Sequence, residues 1–498
     1  MASTRKLPQQ APKSSLNTYR NTNKPLKWLK NPIHSRARPT ATARPTPAQR
    51  RPGLPWAILS SKKRERTAHN PWWIPPHFLG RVPVRIEPGQ VRLLGLIGLA
   101  LLFENYDFQL LTAALKHIAE DLEIGEASLG SFMSWIRLGG LPAFLLMPLA
   151  DWMGRRRLFL ISMLGLSLGT FATAFSQTPL QFMICQILSR TFMVAAAAVT
   201  YVIIAEEFPA EHRGWGIGIL GAVGSMGHAL AAGLFGAINQ LPFGWRALYA
   251  LGVIPLLLLP LFRREVKETA RFERRARSRR SRADASRAFR AWLRPLLGLA
   301  STYPLRVLAI SAMGGLTAAS HAAVFMFTSF FVQTLRGWEP WHYSTMFIVA
   351  GAIGILGNVV AGRLGDAIGR RVIGFIFLSA FPFFGWLFYA GPGWAIPPAW
   401  LLLVFAVMAG NVTIRALATE VFPTAHRGTS TGWLFLLETL GAFVGLQLVY
   451  RLTRGEIFDP AAVIQVAFAT LVGAFFIVLL PETRRRELEA ISPDEEAP

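Results

Sequence analysis

The amino-acid sequence predicts an all-α, polytopic membrane protein whose twelve transmembrane helices form two pseudo-symmetric six-helix bundles. Three observations predict it. The chain has 498 residues, of which 52% are hydrophobic and only 16% charged, against about a quarter charged in soluble domains. From about residue 91 onward, apolar stretches recur, each long enough to cross roughly 30 Å of hydrocarbon as a helix. Two short loop motifs each appear twice, once in either half of the chain. The composition argues against a soluble enzyme.

Residues 1–82 carry 17 Lys and Arg against a single acid, Glu65, and hold twelve prolines without apolar periodicity. Such a segment buries too little surface to offset the entropy of ordering, so 1–84 reads as a disordered basic tail. Its first thirty residues hold no compact apolar core with a small-residue cleavage site, so no secretory signal is expected. The lone cysteine, Cys185, excludes a disulfide or a thiolate metal cluster. Neither a metal nor a cofactor is expected.

The apolar stretches span 91–116, 127–149, 157–176, 180–205, 214–238 and 245–262, then 306–333, 342–364, 371–390, 396–419, 429–451 and 461–480. They define an N-terminal bundle (85–262), a basic linker (263–305), a C-terminal bundle (306–482) and a short C-terminal tail (483–498). Short loops rich in Lys and Arg stay cytoplasmic. The basic loops, Arg155 to Arg157, Arg213, Arg263 to Arg294, Arg370 with Arg371, Arg427 and Arg484 to Arg486, all fall on the side of the N-terminal tail. Both termini are therefore expected inside a cell (inner or plasma) membrane; Arg451 and Arg454 alone depart from the pattern. The linker holds 13 Lys and Arg against four acids up to Arg294. Its neighbours are membrane helices, so its partner is expected to be anionic lipid rather than nucleic acid.

After the second span stands PLADWMGRRR (148–157), and after the eighth stands GRLGDAIGRR (362–371). After the fourth stands EEFPAEHRG (206–214), and after the tenth stands TEVFPTAHRG (419–428). Recurrence in register points to a duplicated six-helix unit. The first motif has a physical logic: an Asp accepts from backbone N–H groups at a helix start, Gly allows the turn, and the Arg pair faces headgroups or carboxylates.

With these motifs the chain resembles the major facilitator superfamily of transporters over about residues 88–490. The loop pattern G-x-x-x-D-[RK]-x-G-[RK]-[RK] is matched by Gly362, Asp366, Gly369, Arg370 and Arg371, and in the first copy by Asp151, Gly154, Arg155 and Arg156, where Met147 and Trp152 depart from it. The pattern E-x-x-P-x-x-x-R-G, typical of the sugar-porter and metabolite/proton symporter branches, is matched by Glu206 with Arg213 and by Glu420 with Arg427. The segments VKETARFE (266–273) and PETRRRELE (481–489) also resemble sugar-porter segments. The resemblance implies the major facilitator fold, alternating access around a central cavity, and loop charges that latch the halves on the cytoplasmic side.

Ionisable residues inside spans are costly and commonly face a cavity or a partner. Here they are Glu104, Asp107, Arg137, Arg190, His228, His321, Arg415 and Glu438. Glu104 and Asp107 are three apart and share one helix face, and two close carboxylates can hold one proton between them. They resemble the first-helix acids of aromatic-acid/proton symporters, which pair with an arginine of the fourth helix; Arg190 stands there. The expectation is a proton-coupling group of Asp107, Glu104 and Arg190, the alternative a static ion pair that packs two helices. Arg137 has no acid within one turn, so its partner is expected to be another helix or a substrate anion. Arg415 is similarly placed but close enough to the cytoplasmic end to snorkel, with Glu438 as its counter-ion. His228 and His321 are candidates for proton relay or substrate contact, or for simple helix packing. Arg137, His228, His321, Arg415 and Glu438 form the expected substrate site.

The fifth span is rich in glycine at three- and four-residue spacing, which lets helices approach closely. It lacks the proline of proton-driven exporters. The seventh span, SHAAVFMFTSFFVQTLRGW, lacks the Gln-Gln and Asn arrangement of sugar porters. No span brings a nucleophile and a base together, so no catalytic residue is named. The sequence thus predicts a monomeric transporter that couples protons to a small organic solute, a carboxylate or aromatic acid. The alternatives are an exporter of hydrophobic compounds and a sugar or polyol transporter.

Overall fold

The computed structural model describes residues 86–144, 146, 153–209, 212–268, 298, 300–422, 427–453 and 457–484. The basic tail, most of the linker, the end of the chain, Asp151 and the side chains of Arg213 and Arg427 lie outside the described residues.

The membrane helices of the described residues fall into two halves. In the N-terminal half they are built from α1 (Pro88–Ala113), α2 (Leu115–Asp121), α3 (Leu129–Leu138), α4 (Arg155–Thr173), α5 (Pro179–Glu207), α6 (Arg213–Gly236), α7 (Trp245–Ala250), α8 (Val253–Leu257) and α9 (Leu259–Glu265). The C-terminal half holds α10 (Pro304–Met326), α11 (Thr328–Thr334), α12 (Pro340–Ala367), α13 (Arg370–Ala390), α14 (Ile396–Glu420), α15 (Arg427–Leu452), α16 (Pro460–Ala467) and α17 (Ala469–Phe476). Among the described residues ten helices pass for membrane spans by length and composition. Four spans that read as single apolar runs are broken: the first at Ala114, the sixth into α7 to α9, the seventh at Phe327 and the twelfth at Phe468.

Proline opens α1, α5, α10, α12 and α16, where its missing N–H costs nothing. Thr178 caps α5 by accepting from Gln181 N (3.3 Å), and Asp459 caps α16 by accepting from Ala461 N (2.8 Å). Large apolar side chains such as Leu164, Leu168, Ile184, Leu188, Phe383 and Phe475 point outward and are exposed. In water such a surface would aggregate; in lipid it is solvated.

The repeat predicted from the loops is also a packing repeat. α1 packs on α6 in one half and α10 on α15 in the other. A Cβ on Gly227 would fall 2.0 Å from the Leu102 carbonyl oxygen, and one on Gly441 would fall 2.1 Å from that of Gly315. Only glycine admits such close backbones. The halves meet through α3 with α15 and α6 with α12.

The two ends of the molecule differ. At the end opposite the loop motifs, one apolar cluster combines Tyr106, Leu110 and Phe235 with Phe327, Phe331 and Tyr343 from the other half. At the motif end each half keeps its own core, with Leu94, Phe159 and Ile203 in one and Ile310, Leu378 and Leu417 in the other. Hydrogen bonds follow the same division. Ser329 Oγ donates to Ala113 O (2.6 Å), Ser344 Oγ to Ala232 O (2.6 Å), Gln109 Nε2 to Tyr343 Oη (3.1 Å) and Phe458 N to Glu126 Oε2 (3.0 Å). All four tie the halves at the far end.

Candidate functional site

Between the halves, on the motif side of these ties, lies a cavity of about 1160 Å³. Its wall carries Arg137, Arg190, His228, His321, Arg415 and Glu438, so six of the eight ionisable span residues meet in one space. Asp107 and Glu104 do not line it. Both are buried, at 4% and 7% exposure, in the helix layer behind the wall.

Asp107 is held by two hydroxyls from neighbouring helices. Thr170 Oγ1 of α4 donates to Oδ1 (2.9 Å), Ser189 Oγ of α5 donates to Oδ2 (3.1 Å), and the two hydroxyl oxygens lie 3.1 Å apart. Arg190 stays within electrostatic reach of Asp107 and Glu104. Among the described residues, however, no ion pair within 4.0 Å joins it to either. Glu104 Oε2 is buried without a hydrogen-bond partner. The acids and the arginine therefore share a cluster without a direct contact.

The two guanidinium groups converge on Phe108 instead. Arg137 Cζ lies 4.7 Å from the ring centroid and Arg190 Cζ 5.1 Å. Cation–π contact offsets part of their desolvation, about 1–2 kcal/mol each when dry. It does not satisfy their N–H groups: Nε of each is buried and unpartnered. Arg137, 9% exposed, stands in the last turn of α3, where a cation suits the helix dipole. Just beyond, the backbone breaks at Gly139, whose carbonyl accepts from Thr191 Oγ1 (2.7 Å). His228 meets the edge of Phe108 at 5.9 Å. Gln109 and Thr112 on α1, with Asn358 and Asn411 across the cavity, add uncharged polar atoms to the wall.

The C-terminal half is chemically unlike its twin. Matching the close approaches at Leu102 and Gly315 sets Thr317, Ser320 and His321 opposite Glu104, Asp107 and Phe108. Ser320 Oγ donates to Val466 O (3.0 Å), a packing bond. The His321 ring lies 4.6 Å from Phe381, with its Nε2 unpartnered. Farther toward the motif end, Arg415 Nη2 stands 3.6 Å from Glu438 Oε2, with Arg415 58% exposed. Four of the charged groups thus sit in the N-terminal half on a scaffold that is otherwise repeated.

At the motif end the loops repeat geometrically as well. Arg155 pairs with Glu206 (3.4 Å), and Arg370 pairs with Glu420 and with Asp366 (3.3 Å). Gly154 and Gly369 adopt φ of +100° and +139°, a conformation that favours glycine. A third member completes each set. Glu268 Oε1 accepts from Arg155 N (2.9 Å), and Glu482 Oε1 accepts from Arg370 N (3.0 Å). These acids belong to the KET and PET segments of the sequence. The likeness of these segments to sugar-porter segments was visible; their target was not, because it lies over a hundred residues away.

Sequence reasoning missed Phe108, Thr170 and Ser189. Phe108 follows Asp107 directly, but a phenylalanine in an apolar run carries no signal of its own. Thr170 and Ser189 are common small polar residues whose role depends on a helix not adjacent in sequence.

The family model described as Major Facilitator Superfamily matches residues 97–446. A probable 4-methylmuconolactone transporter of Cupriavidus pinatubonensis is 28% identical over 364 residues, covering 69% of this chain and 79% of that protein. A gallate transporter of Pseudomonas putida is 27% identical over 379 residues, covering 71% and 83%. Among solved structures, a D-xylose-proton symporter superposes with a TM-score of 0.62 at 18% identity, covering 78% of this chain and 98% of that one.

Proposed function

This chain belongs to the major facilitator superfamily and is a multi-pass membrane transporter rather than an enzyme; we propose that it carries a small organic carboxylate together with protons by alternating access. The observation that carries this reading is the pair of guanidinium groups on the cavity wall, buried Arg137 and half-buried Arg190, with no acid in ion-pair contact among the described residues. A buried, unpaired cation is costly. A substrate carboxylate is the ligand that relieves the cost, since charge-assisted bonds to guanidinium are among the strongest available. That two relatives are named for gallate and for 4-methylmuconolactone supports the same substrate class.

Asp107 and Glu104 are the proton carriers in this reading. With Asp107 charged, the cluster draws Arg190 toward α1; with a proton on it, Arg190 is released to the cavity and to the substrate. A carboxylate moving with one proton carries no net charge, so the pH difference drives it: about 1.4 kcal/mol per unit, enough for about tenfold accumulation per pH unit. His228, His321, Arg415 and Glu438 complete the substrate path. The basic loops support a cytoplasmic motif end, with both termini and the linker on that side against anionic lipid. On that sidedness the cavity faces inward and the ties of Gln109, Ser329, Ser344 and Glu126 close the outer side. The protein acts as a monomer in the cell membrane.

The test is uptake of a labelled carboxylate panel, benzoate, gallate and muconate included, into proteoliposomes with an imposed inward proton gradient. Uptake that the gradient accelerates, and that Asp107→Asn loses, supports the proposal. Failure of every acid, with efflux of a preloaded hydrophobic cation, moves the assignment to an exporter.

A further inference from the structure

The two halves offer the cavity different chemistry, and the difference specifies two ends for the molecule it holds. On the N-terminal wall, Arg137 and Arg190 converge on a single ring, Phe108, at 4.7 and 5.1 Å. Two guanidinium groups gathered around one ring present one anion site rather than two. On the C-terminal wall the counterpart of Phe108 is His321, since each lies six residues beyond the close approach at Leu102 or Gly315. Both line the cavity, so the twofold relation of the halves sets them across it from each other.

The C-terminal wall offers hydrogen bonds rather than a free charge. Its guanidinium and its carboxylate, Arg415 and Glu438, stand 3.6 Å apart and answer each other. Beside His321 the wall carries Thr317 of α10, Asn358 of α12 and Asn411 of α14. Thr317 Oγ1 and His321 Nε2 are buried without a hydrogen-bond partner, and the side chains of Asn358 and Asn411 have none among the described residues. Each carboxamide brings two donors and an acceptor, and the imidazole adds its own nitrogens. Phe325 and Phe347 stand next to these groups, both against the Trp400 ring at 5.2 and 6.2 Å. They give the wall an apolar edge that suits a flat body.

On the carboxylate reading proposed above, we infer that the substrate is a monocarboxylate whose far end carries an uncharged hydrogen-bonding group, with its carboxylate on Arg137 and Arg190 and its far end on His321 and Asn411. A plain monoacid leaves the polar groups of the C-terminal wall idle. A rigid dicarboxylate brings its second charge to a wall whose guanidinium, Arg415, already has Glu438 as partner, and Glu438 repels that charge. An amide, a hydroxyl or an ester carbonyl meets donors and acceptors there without burying a second charge. His321 and Asn411 are thus specificity-determining residues, and the arginines are the anchor.

Titration calorimetry of the full chain in detergent with benzoate, 4-carbamoylbenzoate and terephthalate tests it. The three acids share a ring and a carboxylate and differ only at the far end, which is a hydrogen, a neutral carboxamide or a second carboxylate. The carboxamide should bind about tenfold tighter than benzoate, the value of one or two hydrogen bonds. Terephthalate, a dianion of nearly the same shape, should bind no better than benzoate. His321→Phe and Asn411→Leu should each cut the advantage of the carboxamide over benzoate to about threefold or less. A merely structural role would weaken both ligands alike and preserve their ratio. Terephthalate as tight as the carboxamide, or benzoate equal to it, overturns the inference and leaves the carboxylate reading standing. So does a ratio that survives both substitutions. Binding of none of the three acids is a different failure, that of the carboxylate reading itself, and the far-end assignment falls with it.

Discussion

Asp107 and Arg190 lie in one buried cluster without touching. The carboxylate of Asp107 is taken by Thr170 (2.9 Å) and Ser189 (3.1 Å), while the guanidinium of Arg190 turns to Phe108 at 5.1 Å. A tight buried ion pair would be expensive to break and would hold the transporter in one state. Two groups within electrostatic reach, each with weaker partners, can exchange them for a proton and a substrate at small cost.

From this arrangement, Asp107→Asn should leave substrate binding in place and abolish coupling. Accumulation should fall from about tenfold per pH unit to none, with exchange of internal for external substrate retained. Gradient-driven uptake and counterflow, measured on the same vesicles, separate the two.

Thr170→Val combined with Ser189→Ala removes both donors to Asp107. Losing hydrogen bonds to a charged group costs about 1.5–3 kcal/mol each. The expected result is a shifted pH profile of uptake with an intact fold, as judged by unchanged size-exclusion behaviour.

Arg137 makes an unusual stability prediction. Because no acid among the described residues pairs with it, Arg137→Met removes an uncompensated buried charge and should raise the apo-protein's stability by about 1 kcal/mol or more. The same change should raise KM for a carboxylate by at least tenfold, the value of one charge-assisted bond. A thermal melt with and without substrate reads both: higher baseline, no ligand shift.

Gly227→Ala places a Cβ 2.0 Å from Leu102 O. The helices must part, at about 1–3 kcal/mol or more. Gly218→Ala, with nothing within 4 Å, is the matched control. Folded yield should fall for the first and hold for the second.

His117 lies on α2, beyond the end of the first span, with its ring 5.6 Å from Phe235. Burial pushes its pKa below the usual histidine value; Glu120 opposes the shift and Lys116 adds to it. The unfolded chain therefore binds the proton first, and the far-end packing weakens as pH falls through about 6.5 and below. Melts from pH 8 to 5 should show this loss, and His117→Gln should flatten it.

Much of the site was legible before any coordinates. A charge inside a twenty-residue apolar run is conspicuous whatever its surroundings, so Arg137, Arg190, His228, His321, Arg415 and Glu438 could be named from sequence, and the structure sets all six on one wall. Glu104 and Asp107 were as conspicuous, but their place behind that wall was not readable, because a helix face says nothing of which neighbour covers it. The breaks at Ala114, Phe327 and Phe468 left no mark either. No proline or glycine stands at those three positions.

By itself the sequence determined the membrane class, the twofold repeat and its motif loops. These follow from local properties: hydrocarbon thickness sets span length, and duplicated residues stay duplicated in any fold. Only the tertiary structure decided that Thr170 and Ser189 hold Asp107, that two arginines share Phe108, that Glu268 and Glu482 anchor the loop arginines, and that the cavity is closed at one end. Those are contacts between helices distant in sequence, chosen by close packing across the bundle, and a linear pattern carries no record of which helix becomes whose neighbour.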